Sequence, residues 1–190
     1  MSRSVIAVSP FAAALAAVGL ALADDAELRR FELPNRDTLE MSLPAGWTER
    51  LQEPAGGGPP TLEIAIAEGG PRQVFVTPEW PDPVAREIRE LPALRDAIRE
   101  LAERIQPEAA EPYLEVRPLG GANGSGWYFT ATERDPDVGE FKFMTQGALQ
   151  LDALTLWFTI LTHEGEDTIA VQALAMLQSA RHRRTGLDQL

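Results

Sequence analysis

Hydrophobic positions recur along this chain with two different periods, and the period changes mark its elements. From Leu28 the spacing is close to two residues. Leu28, Phe31 and Leu33 precede Asn35-Arg36-Asp37, and Leu39, Met41 and Leu43 follow on one face. Such alternation predicts a pair of half-buried antiparallel strands. The pair ends at Leu43-Pro44-Ala45-Gly46-Trp47, and Gly56–Pro60 is a loop, because neither Gly nor Pro continues an element. Leu62, Ile64 and Ile66 then alternate, turn at Gly69-Gly70-Pro71 and return as Gln73–Thr77. That is a second hairpin.

At Asp82-Pro83 the period lengthens. Asp is a capping residue and Pro suits the first helical position. Val84, Ile88, Leu91, Leu94, Ile98, Leu101 and Ile105 recur at spacings of three and four, with charged residues between them. This predicts a long amphipathic helix with a solvated outer face. Pro92 removes an amide donor, so a kink is expected there.

The two-residue period returns at Leu114 and Val116, continues through Trp127, Phe129 and Ala131, and turns at residues 135–139. Two long strands follow, Phe141–Leu151 and Leu154–Thr162, joined at Asp152-Ala153. A final helix is expected over Asp167–Ala180, closed by Arg181, His182, Arg183 and Arg184, whose positive charge suits the helix C-terminus. The fold class is therefore α+β: one twisted antiparallel sheet flanked by the long helix and the C-terminal helix. The domain spans residues 24–182, with a disordered tail over 183–190.

Residues 120–126 raise the question of a phosphate loop. Gly121 and Gly126 have the four-residue spacing of one, but Trp127 and Tyr128 stand where Lys and Ser or Thr are required. A phosphate loop also opens a helix, and here a strand follows. Asn123-Gly124 between alternating segments predicts a hairpin turn with both residues at positive φ.

The first residues have a separate purpose. One basic residue, Arg3, precedes an apolar run from Val5 to Leu22 that closes on Ala21-Leu22-Ala23 before Asp24-Asp25. This is the layout of a secretory signal peptide, residues 1–23, cleaved after Ala23. The alternative is a retained N-terminal membrane anchor. Periplasmic export follows from the first reading, with no stable membrane insertion after cleavage. With no cysteine in the chain, disulfides, thiolate metal sites and a lipidated cysteine are excluded. A net charge of −12 argues against nucleic acid and anionic lipid as partners.

Candidate chemistry is sparse. The two histidines, His163 and His182, lie far apart and outside any spaced metal motif. Asp135, Asp137 and Glu140 share one turn and resemble a fragment of a calcium loop, lacking its glycine and distal glutamate. They are the weak metal candidates; no catalytic residue and no cofactor is assigned. Of the four tryptophans, Trp47 follows a bend and Trp80 sits within Pro78-Glu79-Trp80-Pro81, so these two are the candidates for lining a partner groove.

The order of elements, with "LPAGW" at 43–47, "GWYFTATERD" from Gly126 and "ALAMLQSARH" ending at His182, resembles the PsbP-like superfamily over residues 28–182. That superfamily includes extrinsic photosystem proteins, a Ran-binding import factor, and bacterial envelope lipoproteins and secretion chaperones. The resemblance implies three layers around an antiparallel sheet, used for protein binding and assembly and not for catalysis. The expected function is an exported, non-catalytic accessory protein that binds an envelope protein or peptide. A small-ligand or metal-binding envelope protein is the alternative, and a hydrolase with a carboxylate pair the third. On the export reading, intact mass spectrometry of exported protein should show Asp24 as the first residue. An intact Met1 would overturn it.

Overall fold

The computed structural model describes residues 26–33, 37–55, 57–67, 70–80 and 91–184. The expected signal peptide, Val84, Ile88, Asn35, Arg36 and residues 185–190 lie outside these. Ten strands and two helices are described: β1 Glu27–Glu32, β2 Thr38–Leu43, β3 Thr48–Gln52, β4 Thr61–Ala65, β5 Arg72–Glu79, α1 Leu91–Ile105, β6 Arg117–Gly120, β7 Ser125–Thr132, β8 Phe143–Leu151, β9 Leu154–Thr162, α2 Asp167–Gln178 and β10 Arg181–Arg183. Every strand pairing is antiparallel, and the class is α+β. No helix among the described residues is long and apolar enough to cross a membrane.

The strands form two sheets where the sequence reading has one. Seven run in the order β3-β4-β5-β9-β8-β7-β6, and three in the order β1-β2-β10. The division falls at Pro44-Ala45-Gly46, where Gly46 takes φ 82°, a left-handed conformation that turns the chain away from β2 into β3. The freed side of β2 is filled by β10. This is the second difference. Arg181–Arg183 do not close the last helix but pair with Thr38–Glu40, and the expected domain end at 182 falls inside that strand. Helix α2 stops instead at Ser179, whose hydroxyl donates to the Met176 carbonyl at 2.6 Å and accepts the Ser42 amide at 2.9 Å.

Alternation along the large sheet separates two apolar layers. Leu154, Leu156, Phe158 and Ile160 of β9 join Leu62, Ile64, Val74, Val76 and Leu149 beneath the small sheet and α2. Trp127, Phe129, Ala131, Met144, Ala148 and Trp157 face the other way, beneath α1. The result is three layers: α1, the seven-stranded sheet, and the small sheet together with α2. On α1 the buried line is Leu94, Ile98 and Ala102, spaced by four residues. Leu101 and Ile105 are its half-buried flank, and Leu91 is exposed. Pro92 is the second residue of α1, and the turn before it, where the kink is expected, lies outside the described residues.

The glycine stretch is a hairpin turn, but its glycines act differently from expectation. Neither Asn123 nor Gly124 has positive φ. A Cβ at Gly124 would fall on the Gln150 carbonyl and the Leu151 side chain, and one at Gly126 on the Ala148 carbonyl. Close backbone approach across β7 and β8 requires glycine there. The turn also covers the end of α2: the Ala122 amide donates to the Gln178 carbonyl at 3.1 Å, and the Gln178 side chain returns a bond to Gly120 at 2.7 Å. Helix C-termini leave carbonyls to be satisfied. The Ala122 amide is thus taken by a helix carbonyl and not by an anion.

At the centre of the small sheet's outer face, the buried Glu40 accepts from Arg30 at 3.1 Å and Arg183 at 3.3 Å. Burial raises its pKa, but the hydrogen bonds and charges of the two arginines outweigh this and hold it below its ordinary 4.5.

Two predictions follow from this packing. Ile98→Ala should cost roughly 2–5 kcal/mol in chemical denaturation, the scale for a fully buried aliphatic side chain; a change below about half a kcal/mol would mean α1 does not seal that layer. A depressed folded pKa adds stability that is present above the unfolded value and lost as pH falls through the folded one. The stability gap between the native chain and Glu40→Gln should therefore shrink as pH falls from 6 through the region below 4.5. A gap independent of pH would show that Glu40 is not held ionised by its arginines.

Candidate functional site

Where α1 ends, the outer layer leaves the sheet partly uncovered. Ile105 closes the helix, and the chain runs on to β6 through a loop tied to β7 at several points. The Gln106 side chain donates to the Glu111 carbonyl at 2.6 Å and accepts the Leu114 amide at 2.7 Å. The Glu111 carboxylate accepts from the amide and hydroxyl of Thr132, and the Ala110 amide donates to the Thr132 carbonyl at 2.8 Å. Arg134 donates to the Ala109 carbonyl at 2.8 Å, so β7 and the loop are fastened from both sides.

Between this loop and the start of β8 lies an open groove of about 220 Å³. Ile105, Ala131, Phe143, Met144 and Leu161 supply its apolar lining; all but Ala131 are half-buried, so the lining reaches solvent. Glu108, Glu133 and Lys142 stand among the same lining residues. Lys142 is engaged by Glu164 at 2.9 Å, whereas the exposed Glu108 and Glu133 carboxylates have no ion-pair partner among the described residues. The groove is thus apolar at its base and negative at its rim. The outer wall is Phe141, on which the His163 ring stacks at 4.5 Å, with His163 Nδ1 3.0 Å from the Glu140 carbonyl.

The residues singled out from sequence are distributed differently. Trp47 is 5% exposed within the large core, so it lines no surface groove; its bend directs the ring inward beneath the small sheet. Trp80 is half-buried against the same core, its Nε1 buried without an acceptor among the described residues. Asp135, Asp137 and Glu140 are exposed, and the Glu140 carboxylate accepts the Asp137 amide at 3.2 Å, which closes their turn. Among the described residues no three His, Asp or Glu side chains gather as a metal site. The His182 side chain is covered, its Nε2 2.9 Å from Asp37. The groove residues went unnoticed in sequence because they come from positions 105, 131, 143 and 161, each a core residue by its local period. The signal was Phe143-Met144, two apolar residues in succession where a strand begins.

No family model matches the chain, and no curated protein matches it in sequence. Among solved structures, it is similar to the solution structure of cyanobacterial PsbP (CyanoP) from Synechocystis. The identity is 14%, the TM-score 0.48, and the alignment covers 84% of this chain and 94% of that one.

Proposed function

We propose that this chain is an exported, non-catalytic accessory protein that binds a partner polypeptide in the groove at the end of α1. The carrying observation is a solvent-reaching apolar groove whose walls are fixed by side-chain hydrogen bonds to backbone. Pre-fixed walls reduce the ordering cost of binding. Size separates the two leading readings. Sites for drug-sized ligands run from roughly 300 to 1,000 Å³, and this groove, at about 220 Å³, is smaller. It suits one large side chain projecting from a peptide. The free carboxylates of Glu108 and Glu133 favour a cation beside it. The occupant is therefore an apolar residue flanked by Lys or Arg, and the chain's net charge of −12 favours the same partner.

A fluorescein-labelled peptide with leucine between two lysines should bind with Kd on the order of 10–100 μM, typical of a small polar-rimmed contact. Glu108→Lys/Glu133→Lys, changed only at exposed positions, should weaken it at least tenfold, and replacing the lysines by glutamates should abolish binding. Equal affinity for the acidic peptide, or no binding at 1 mM, would refute the groove as a peptide site.

A further inference from the structure

The small sheet carries a second surface, of opposite charge and independent of the groove. Among the described residues β10 pairs only with β2, and no strand is hydrogen-bonded to its other edge. A cavity of about 240 Å³ runs beside that edge, between β10 and the turns that hold Asn123 and Asp152. Arg181 and Arg183 are exposed two residues apart, while the His182 side chain between them is only 2% exposed, its Nε2 2.9 Å from Asp37. In register, Glu40 lies opposite both Arg30 and Arg181. Glu40 is occupied by Arg30 and Arg183, which leaves Arg181 without a carboxylate partner among the described residues. Three arginines thus surround one carboxylate, on a chain whose net charge is −12.

We propose that this face and edge take an extended acidic peptide segment, added along β10 with alternate carboxylates on Arg181 and Arg183. An open strand edge offers unpaired amides and carbonyls, and strand addition is a recurrent mode of peptide recognition. In an extended chain alternate side chains share one face and recur about every 6.6 Å. Arg181 and Arg183, themselves alternate residues of a strand, present the same repeat. Guanidinium groups hold carboxylates through paired hydrogen bonds. Asp152 on the far wall repels an acid directly opposite it, which restricts the register to the arginine side. An anionic membrane is the less fitting occupant, because the rest of the acidic chain would be repelled from it.

The test uses a capped, labelled peptide, Thr-Glu-Val-Glu-Val-Glu-Thr, and its counterpart with glutamine for glutamate. Anisotropy at low salt should show saturable binding of the acidic peptide, weakened at least tenfold by the glutamine exchange and by Arg181→Gln. Amide shifts in NMR should centre on residues 181–183. Arg181 has no ion pair among the described residues, so R181Q should keep the native circular dichroism and thermal midpoint. Undiminished affinity in R181Q, equal binding of the glutamine peptide, or shifts centred elsewhere would overturn the proposal. So would failure of the peptide to bind while phosphatidylglycerol vesicles bind in an Arg181-dependent way.

Discussion

The pairing of β8 with β9 is the constraint on which the other layers depend. Nine residues of each strand are in register, from Phe143 opposite Thr162 to Leu151 opposite Leu154. With β5 on one flank and β7 on the other, this hairpin is the middle of the large sheet. Its alternation is unequal. One face offers Leu149, Leu151, Leu154, Leu156, Phe158 and Ile160; the other offers Met144, Gln146, Ala148, Gln150, Thr155 and Trp157. The first must be covered entirely, and the small sheet and α2 do so. The second tolerates partial cover, and α1 provides it. A single slip in the register would exchange the faces and expose the leucine row.

Unequal cover explains where function is to be sought. A face that mixes polar and apolar residues is stable with part of its surface open, and the groove beyond Ile105 lies on that face. The loop bonded by Gln106, Glu111 and Arg134 keeps the opening in one shape. The small sheet is different. Its inner face belongs to the core, so its surface chemistry is confined to the outer face and the β10 edge, where the arginines collect.

Elements with strong periodicity were legible in the sequence. Leu39, Met41 and Leu43, and the whole of β9, declared their strands, and Leu94 and Ile98 declared the buried side of α1. Features produced by tertiary pairing were not. Arg181-His182-Arg183 has no apolar alternation and follows a helix, so nothing local marks it as a strand; only the open side of β2 makes it one. Trp47 reads as a surface ring after a bend because sequence does not show which way Gly46 turns the chain. The glycines at 124 and 126 were recognised as a turn, yet the reason for them is the approach of β8, far away in sequence. The groove has the same character, since its residues become neighbours only after β7, β8 and β9 align beneath α1.

The claim that the two faces of the large sheet have different tasks is open to one direct measurement. A photoreactive benzoylphenylalanine placed at Met144, in the groove, is compared in living cells with one at Leu51, exposed on the edge strand β3. Illumination should give a discrete cross-linked species of defined mass from position 144, reduced by reversing the rim charges at Glu108 and Glu133, and none from position 51. The same pattern of adducts from both positions, or none from position 144, would contradict the account.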